Sequence, residues 1–469
     1  MTFHNDTIAA IATAMSDSGI GIVRISGDDA IPIVDKIFRS VNPDKKLINV
    51  KSHTVHYGFI YDGDTFLDEV MVIIMKAPRS YTMENTVEIN CHGGVLMVNR
   101  ILETVLKYGA RLAEPGEFTK RAFLNGRIDL SKAEAVIDII HSKNEFALQA
   151  GTAQLKGSVS NAVKNMREKV IYEIAFIESA LDDPEHISLD GFKERISATV
   201  ESLISEISKL IDSADNGKML KEGINTVILG KPNAGKSSLM NLLVGEEKAI
   251  VTNIAGTTRD ILEENIKLHG IGLNIIDTAG IRETEDIVEK IGVEKALKCA
   301  EKADLVIYVE DSSVALDESD FAIMDFMKKK KSIVHLNKTD LETFVKEEEL
   351  MSQLSKYVGE NAENLPIIKT STKENIGIDI FEEQIKEMFF NGQISFNDEV
   401  YITKLRHKEA LMDARKSLEL VKQSIEDDMP EDFLSIDLMS AYASLGTIIG
   451  EEVGEDLVNE IFSKFCMGK

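Results

Sequence analysis

The chain has 469 residues, enough for more than one domain, and 43% of them are hydrophobic, as in an ordinary globular protein. Its formal net charge of −26 argues against broad, sequence-independent binding of nucleic acid, which depends on Lys and Arg to neutralise phosphates. The apolar runs are too short for a transmembrane helix, and the N-terminus lacks the pattern of a signal peptide. The three cysteines show no metal-binding spacing, so we expect a cytoplasmic protein with no membrane contact.

Residues 1–120 are predicted to form a mixed α/β domain. Its expected strands and helix follow runs of apolar residues at 7–12, 21–26, 70–75 and 86–90 for the strands and 95–108 for the helix. His92 precedes two glycines after the fourth strand. That position fits a ligand or a base, but the glycines alone favour the entry turn of a helix.

The remaining sequence is helical on both sides of a central segment. A helical pattern covers 121–217, breaks once around 182–191, and resumes from about Phe396 to the end. We predict that the flanking parts, 121–217 and 385–469, pack as one bundle into which residues 218–384 are inserted. Insertion is tolerated where the two ends of the insert lie close together.

The chain ends in a Cys-x-Gly-Lys tail after an amphipathic helix predicted over 457–465. A single thiol at this place, Cys466, is either exposed without a role or a reactive group that the helix carries to a site. The residues alone leave both interpretations open. The clearest basic run, at 328–331, is predicted to be a solvated helix end.

The central segment contains a phosphate-binding loop. Residues 230–237 fit the pattern G-x-x-x-x-G-K-[ST], with a predicted strand at 226–229 before them and a helix from Ser238 that Gly245 is expected to cap. Glycines allow the backbone to turn its N–H groups towards an anion. Lys236 is expected to reach the β- and γ-phosphates, and the Ser237 hydroxyl is expected to hold Mg²⁺.

Three further motifs are typical of GTPases, and two of them identify the nucleotide as guanine. In the N-K-x-D motif, the Asp340 carboxylate accepts from guanine N1–H and the 2-amino group, and adenine would leave it unpaired. The D-x-x-G motif places Asp277 at Mg²⁺ and Gly280 at the γ-phosphate, and residues 371–373 fit the last guanine loop. Because the motifs follow strand-like runs in the right order, we predict a Ras-like P-loop GTPase domain.

The usual catalytic residue is missing from this domain. Many GTPases place a Gln after D-x-x-G to orient the attacking water, but this chain has Ile281 there. Asn233 in the phosphate-binding loop is one candidate replacement, because its oxygen suits a monovalent cation that neutralises developing charge. The acidic segment 282–289 is the other, since it offers a carboxylate to water. The loop 251–260 stands where switch I belongs.

These segments together resemble one family. The combination of G-K-P-N-A-G-K-S, A-G-T-T-R-D, D-T-A-G-I-R-E and N-K-T-D is similar to the potassium-activated GTPases. The inserted GTPase domain, N-C-H-G-G, P-G-E-F-T-K-R-A-F-L-N-G-R and the C-x-G-K tail resemble the MnmE (TrmE) family of tRNA uridine-modifying GTPases. The resemblance covers essentially the whole chain. It implies a tetrahydrofolate-binding-like N-terminal domain that forms a homodimer.

The family resemblance also implies a function. Members work with the FAD protein MnmG, in a heterotetramer, on C5 of the wobble uridine of certain tRNAs. They install an aminomethyl or carboxymethylaminomethyl group from a folate-derived one-carbon unit, so the implied cofactors are GTP, Mg²⁺, K⁺ and 5-formyltetrahydrofolate or a related tetrahydrofolate. Two GTPase domains are expected to meet when GTP, Mg²⁺ and K⁺ are bound, and hydrolysis is expected to separate them.

The family's site residues fall on definite positions of this sequence. The resemblance implies that Glu289 is the water-orienting carboxylate and Cys466 the reactive thiol. The Mg²⁺ ligands are Ser237 and Thr258. The implied K⁺ ligands are Asn233, Thr252, Ile254 and Thr257. The implied folate-binding residues are Arg24, Glu88, Arg127 and Lys469. The residues expected at the guanine nucleotide are Asn233, Ala234, Gly235, Lys236, Ser237, Ser238, Thr252, Asn253, Ile254, Ala255, Gly256, Thr257, Thr258, Asp277, Thr278, Ala279, Gly280, Asn337, Lys338, Asp340, Ser371, Thr372 and Lys373.

The sequence departs from the family pattern in two places. Arg127 stands where members often have Lys, which keeps the charge but changes the hydrogen-bond geometry. Residues 13–19 replace a Pro-Pro-Gly-type turn, so we expect a more flexible turn there. The competing hypotheses are a ribosome-assembly or RNA-binding switch GTPase without RNA-modifying chemistry, and a folate enzyme with a regulatory GTPase.

Overall fold

The computed structural model describes residues 6–142, 144–183, 186, 191–246, 263–268, 271–276, 301, 303–328, 330–374, 376–390, 400–451, 453–466 and 468. The chain divides into two compact units. Unit 1 comprises Met1–Ile140, Thr152–Ser205 and Glu409–Lys469, and unit 2 comprises His141–Gly151 and Glu206–Lys408. The chain therefore leaves unit 1 and returns to it. No helix within the described ranges is long and apolar enough to cross a membrane.

The helices alternate with strands in the first 112 residues and again in unit 2. In chain order they are α1 Ala30–Ile37, α2 Val95–Lys107, α3 Glu117–Leu124, α4 Leu130–Ile140, α5 Glu145–Lys156, α6 Ser158–Asp182, α7 Phe192–Glu222, α8 Lys236–Glu246, α9 Glu318–Met327, α10 Glu347–Val358, α11 Ile378–Phe390, α12 Leu405–Glu426, α13 Glu431–Ile449 and α14 Glu455–Ser463. The break between α6 and α7 is where the sequence predicts one.

A seven-stranded sheet forms the N-terminal part of unit 1, in the spatial order β3-β4-β5-β6-β2-β1-β7. Its strands are β1 Ile8–Ile11, β2 Ser18–Ser26, β3 Phe38–Ser40, β4 Thr54–Asp62, β5 Thr65–Met75, β6 Thr86–Gly93 and β7 Arg111–Leu112. Neighbouring strands are antiparallel except β1 and β7. Along β5, Val70, Val72 and Ile74 are buried whereas Met71 is exposed. This alternation shows that one face of the sheet is covered, by α1 and α2.

Two contacts join the last helices of unit 1 to earlier ones. Helix α13 lies along α6, where the buried Arg167 guanidinium stacks 3.9 Å from the centre of the Tyr442 ring. Helix α14 packs on α3 and α4 through a cluster that includes Leu130, Phe462 and Phe465. The second cluster brings the end of the chain to the N-terminal part of the unit.

The described strands of unit 2 form a six-stranded sheet in the order β13-β12-β11-β8-β10-β9. They are β8 Ile224–Leu229, β9 Glu263–Leu268, β10 Ile271–Ile276, β11 Leu305–Asp311, β12 Lys331–Asn337 and β13 Ile367–Lys369. Only the β9–β10 pair is antiparallel. Hydrophobic clusters cover both faces, which explains why β11 is buried along its whole length. The P-loop α/β fold predicted for this segment is confirmed.

The structure corrects two details of the sequence analysis. Gly245 does not cap its helix, because α8 continues to Glu246; helix ends predicted from sequence vary by a residue or two. The second helical segment begins at Leu405, not near Phe396, which lies outside the described residues. Residues 400–404 are not helical, and there the Ser213 hydroxyl donates to the Val400 carbonyl and accepts from the Ile402 amide, both at 3.3 Å.

The basic run after α9 is less solvated than predicted. Lys330 Nζ donates to the carbonyl oxygens of Glu301 and Ala303, and Lys331 Nζ donates to that of Met388 at 2.7 Å. Two of the lysines therefore satisfy main-chain acceptors of their own unit. That arrangement argues against a dedicated nucleic-acid contact at this helix end.

His335 lies fully buried in β12. Its ring meets Phe381 edge-on at 4.8 Å, and neither ring nitrogen has a hydrogen-bond partner among the described residues. Burial lowers its pKa to about 3, because the charged form loses its hydration without gaining a partner.

We expect this histidine to make the fold acid-sensitive. An unfolded histidine titrates near pH 6.5, so below that pH the unfolded chain binds a proton that the folded one does not. Stability should therefore be lost as pH falls from about 6.5 towards 3, by about 1.4 kcal/mol per pH unit. Thermal unfolding of the full chain at pH 7.5, 6.5 and 5.5 should show a smaller acid loss for His335→Leu than for the wild type. The exposed His186, replaced by Gln, is the control. Equal dependence of the unfolding free energy on pH for His335→Leu and wild type would contradict the prediction.

Candidate functional site

The phosphate-binding loop connects β8 to the N-terminus of α8. Its backbone is left-handed at Gly230, Asn233 and Gly235, with φ values of 152°, 64° and 106°. A side chain on Gly230 would lie 2.2 Å from the Val309 carbonyl oxygen, so the loop rests directly on the neighbouring strand. A loop that turns in this way before a helix N-terminus presents main-chain N–H groups to an anion.

Lys236 is the first residue of α8 and is folded back on the loop. Its Nζ donates to the carbonyl oxygens of Gly230 and Lys231 at 2.8 and 2.7 Å. Burial lowers the pKa of this lysine. The two carbonyls hold the ammonium group over the loop, where a phosphate can exchange for them.

The predicted guanine loops meet the phosphate-binding loop at the carboxyl ends of β12 and β13. Asn337 Nδ2 donates to the Ala234 carbonyl at 2.9 Å, and Asn337 Oδ1 accepts from the Thr372 amide at 3.2 Å. The Ser371 hydroxyl donates to Asp340 Oδ1 at 2.8 Å. Motifs separated by more than 100 residues thus share one hydrogen-bonded network, and the Asp340 carboxylate is fixed by it.

Asp311 belongs to this network, although the sequence analysis did not select it. It ends β11, and its Oδ2 lies 2.5 Å from Lys338 Nζ; Lys338 itself is left-handed, with φ of 59°. Burial acts to raise the pKa of Asp311, but hydrogen bonds from Lys338 and Ser313 bring it below its usual value. An acidic residue directly after a buried strand, at the edge that carries the motifs, was the available signal.

Part of the predicted nucleotide site lies outside the described residues. This holds for Thr252, Asn253, Ile254, Ala255, Gly256, Thr257, Thr258, Asp277, Thr278, Ala279, Gly280 and Glu289. Of the expected ligands within the described ranges, Asn233 and Ser237 are exposed at the loop and at the helix start. In the same ranges, no group of three or more His, Cys, Asp or Glu residues is arranged to hold a metal ion. Within the described residues, Ser237 and Asn233 offer a hydroxyl and an amide oxygen to a Mg²⁺ or K⁺ ion.

A second polar site lies in unit 1. Arg24 on β2 faces Glu88 on β6, and its Nε lies 2.8 Å from Glu88 Oε1. The same guanidinium donates to the Gly468 carbonyl at 2.9 Å, across 444 positions of sequence. Both side chains are less than a fifth exposed. The structure therefore brings Arg24, Glu88 and the C-terminal tail together; Lys469 lies outside the described residues.

Aromatic rings flank this pair. The Arg24 guanidinium lies 5.8 Å from the centre of the Phe118 ring, and the Arg127 guanidinium lies 4.8 Å from that of Tyr81. Arg127 also donates to the Tyr81 carbonyl at 3.2 Å. Phe118 and Tyr81 were not selected from the sequence, and their places depend on folding of distant segments.

The tail is packed against the N-terminal part of unit 1. The Gly116 amide donates to the Cys466 carbonyl at 3.3 Å, and a side chain on Gly116 would lie 2.6 Å from the Phe462 carbonyl oxygen. Gly468 has φ of 86°, and a side chain there would lie 2.2 Å from the Ile11 carbonyl oxygen. Both glycines allow this close approach. The Cys466 residue is exposed beside it.

Comparison with known proteins decides the family. Residues 130–466 match the model described as "MnmE helical domain", and residues 7–127 match "GTP-binding protein TrmE N-terminus". The chain is 60% identical over 464 residues to the tRNA modification GTPase MnmE of Lachnoclostridium phytofermentans, covering 99% of each chain. The chain belongs to the MnmE family of tRNA modification GTPases.

Further members of the MnmE family are similar over the same length. The protein of Thermoanaerobacter pseudethanolicus is 48% identical over 99% of each chain, and that of Clostridioides difficile is 47% identical over 100% of each. Among solved structures, the G domain of the T. maritima FeoB iron transporter is 29% identical, covers 35% of this chain and 97% of that chain, and gives a TM-score of 0.24. As an MnmE family member, the chain is a GTP hydrolase involved in tRNA modification, as the sequence motifs predict.

His92 lies in a different place from the one that the sequence favours. It is in strand β6, not in a helix-entry turn, because Gly94 takes the position before α2. Its Nδ1 lies 2.7 Å from Asp68 Oδ1, and its amide donates to the other oxygen of that carboxylate at 2.8 Å. The hydrogen bond raises the pKa of the exposed His92. The residue is therefore an oriented, solvent-facing imidazole.

Proposed function

We propose that this chain is a K⁺-activated GTPase that, with the FAD protein MnmG, modifies C5 of the wobble uridine of certain tRNAs. A folate-derived one-carbon unit would supply the carbon of the new aminomethyl or carboxymethylaminomethyl group. The observation that carries the proposal is the meeting of Arg24, Glu88 and the tail carbonyl of Gly468, in a chain that also holds a complete phosphate loop.

The unit 1 site suits a reduced folate such as 5-formyltetrahydrofolate. Glu88 offers an acceptor for the amino and N–H groups of a pterin, and Arg127 offers a cation for the glutamate carboxylates. The rings of Tyr81 and Phe118 offer apolar faces to the flat parts of the ligand. Folate, when bound, supplies the one-carbon unit. The residues of this chain hold it, and Lys469 is proposed as a further ligand.

Cys466 is proposed as the reactive group of the tail. It lies two residues before the carbonyl that Arg24 holds, and its own carbonyl is fixed by Gly116. A thiol held by its main chain on both sides can act at a defined position while its side chain remains exposed.

A monovalent cation is proposed at the phosphate-binding loop. Asn233 combines an exposed amide with a left-handed backbone, so its oxygen can face the phosphates without strain that a branched residue would meet. Thr252, Ile254 and Thr257 would complete the K⁺ ligands, and Ser237 and Thr258 would hold Mg²⁺. Glu289 would orient water in place of the missing Gln. The cation supplies positive charge where charge develops during hydrolysis.

A homodimer is proposed through the open face of the seven-stranded sheet. Four apolar or aromatic side chains on this face of β4 and β5 are about half exposed, namely Val55 at 59%, Tyr57 at 50%, Phe66 at 54% and Met71 at 48%. A contiguous apolar sheet face of this kind is a common mark of a protein–protein interface. GTP-driven meeting and parting of two GTPase domains would then time the reaction, in the cytoplasm.

The function can be tested by reconstitution. Purified chain, an MnmG protein, unmodified tRNA, GTP in KCl and a reduced folate should yield modified uridine by mass spectrometry of nucleosides. Omission of the folate or of GTP should abolish the product. The variant Gly468→Val should lower product formation by about 10²-fold, because its side chain would meet the Ile11 carbonyl and displace the tail. Its GTP hydrolysis should stay near the wild-type rate.

Gly454→Ala is the matched control. Gly454 precedes α14, the helix that Gly468 follows. A side chain on Gly454 would meet nothing within 4 Å, so product formation should be preserved. If GTP and tRNA gave no modified uridine under any folate condition, a switch GTPase that only docks on RNA would replace the proposal.

A further inference from the structure

Lys231, the residue after Gly230 in the phosphate-binding loop, has a largely buried side chain. It is 11% exposed, whereas the next two loop residues, Pro232 and Asn233, are exposed. Its Nζ lies 2.7 Å from Asp320 Oδ2 and 2.9 Å from the Ala315 carbonyl oxygen. The loop is therefore tied by a side chain to a segment more than 80 residues further along the chain.

The acidic partners of Lys231 form a buried pair. Glu310 and Asp320 are both fully buried, and the Tyr308 hydroxyl lies 2.6 Å from Glu310 Oε2 and 3.0 Å from Asp320 Oδ1. Burial, and then the neighbouring Asp320 charge, raise the pKa of Glu310 to about 8. At neutral pH, protonated Glu310 leaves the Asp320 carboxylate as the buried partner of the Lys231 ammonium, and the half-exposed Asp317 carboxylate lies 3.6 Å from the same ammonium.

Asp320 is fixed by a helix end. It is the third residue of α9, and its Oδ2 accepts from the Asp317 amide at 2.9 Å, while Asp317 Oδ1 accepts from the Ser319 amide at 2.9 Å. This reciprocal capping holds both acids in place. Lys231 is thus attached to a rigid support and not to a mobile surface acid.

The main-chain carbonyl of Lys231 links this restraint to the residues of the loop that are expected to bind phosphate. Its carbonyl accepts from Lys236 Nζ at 2.7 Å and from the Ala234 amide at 3.3 Å. On its other side, Gly230 packs on the Val309 carbonyl. The side chain of Lys231 therefore sets the place of a carbonyl that orients the phosphate-binding lysine.

We propose that Lys231 is a positioning residue of the GTPase, which holds the phosphate-binding loop in its nucleotide-ready form by pairing with Asp320. It does not contact the nucleotide. Its effect passes through the main chain to Lys236 and to the amides of the loop. Without this restraint, only a fraction of the chains would have an ordered loop before GTP or GDP binds. The apparent affinity for the nucleotide is then the intrinsic affinity multiplied by that fraction.

The test compares Lys231→Met with Lys231→Arg in the full chain. Lys231→Met should raise the Kd of both GDP and GTP about tenfold, with kcat for GTP hydrolysis within about threefold of wild type. A large rise in Kd with little change in kcat is expected of a residue that orders the loop before the nucleotide binds. Lys231→Arg should restore the Kd to within about threefold, because a guanidinium can also pair with Asp320. The exposed Lys328, replaced by Met, is the matched control and should bind as wild type.

Two acid variants keep the test decisive if Lys231→Met does not fold. Glu310→Gln should bind nucleotide as wild type, because the amide mimics a neutral acid, whereas Asp320→Asn should weaken binding as Lys231→Met does. The double variant Lys231→Met with Asp320→Asn should bind nucleotide no more weakly than either single variant.

A Kd for Lys231→Met within twofold of wild type would overturn the proposal, even if the melting temperature of the variant fell. An equal rise in Kd for Lys231→Met and Lys231→Arg would also overturn the proposal.

Discussion

Replacement of Gly235 by alanine is expected to abolish productive nucleotide binding. A side chain on Gly235 would lie 2.1 Å from Asn337 Nδ2, and Asn337 is 1% exposed and held by Ala234 and Thr372. The backbone φ of 106° is also unfavourable for any residue with a Cβ. Strain and displacement together should raise the Kd of GDP by at least about 100-fold, since each 1.4 kcal/mol costs a factor of ten.

Titration with a fluorescent GDP analogue measures this change. Gly359→Ala is the control, because that glycine also has a positive φ, of 82°, but a side chain there would meet nothing within 4 Å. It should keep wild-type affinity with a loss of stability of about 1–3 kcal/mol, because its φ of 82° and ψ of −144° favour glycine. Circular dichroism should show that both variants are folded. Binding of GDP by Gly235→Ala within threefold of wild type would show that the Asn337 contact adapts.

Asn233 variants are expected to lose activation by K⁺. GTP hydrolysis by the wild type should be at least about tenfold faster in KCl than in NaCl of equal ionic strength, as expected when a fixed cation stabilises developing charge. Asn233→Gly should show equal, slow rates in both salts, with GDP affinity within threefold of wild type. Glycine is the preferred replacement because it accepts the φ of 64° that Asn233 adopts, whereas alanine would add strain.

Asn233→Asp is the matched comparison. It keeps a side-chain oxygen and tolerates the left-handed backbone, so part of the K⁺ activation should remain. Full K⁺ stimulation of Asn233→Gly would show that the cation has other ligands. Glu289→Gln in the same assay should be slow in both salts, and normal hydrolysis by that variant would remove Glu289 as the carboxylate that orients water.

The phosphate loop is the part of the site that the sequence predicts best. Gly230, Gly235 and Lys236 are assigned by a motif whose residues are close in sequence. The structure places the two glycines in the loop after β8 and Lys236 at the start of α8, as the motif requires. The guanine loops are predicted nearly as well, because the carboxyl ends of parallel strands meet at one edge of a sheet. Asp311 also lies at the carboxyl end of a parallel strand. A single acidic residue at that position does not form a recognisable motif, so the sequence analysis did not select it.

Contacts between distant segments are the part that local patterns miss. The pair of Lys231 and Asp320 joins a glycine loop to a helix start, and nothing in the sequence near either residue indicates the other. The bond from Arg24 to Gly468 is a stronger example. Family resemblance selects Arg24 and the tail residue Lys469 as folate ligands, but the hydrogen bond from Arg24 to the Gly468 carbonyl depends on packing of α14 on α3.

Strand β4 shows a limit of another kind. Val55, Tyr57 and Phe59 lie on the open face of the sheet, but the covered face carries His56 and Gly58 between them, so the sequence contains no uniformly apolar run. The sequence analysis selected continuous apolar runs and missed it. A strand whose second face is also apolar, but exposed, is the pattern expected where a sheet is covered by a partner.

The hydrogen bonds that Ser213 makes to residues 400 and 402 have a consequence for how the molecule is assembled during synthesis. They join the entry and exit of a segment of nearly 190 residues. A disordered connection of that length would impose a loop-closure entropy on every contact between α7 and α12, such as the ion pair of Glu201 and Lys422. Once the intervening segment has folded and joined its own ends, that connection behaves as a short link. We therefore expect unit 2, which contains the GTPase segment, to fold first and thereby to accelerate the packing of α7 against α12.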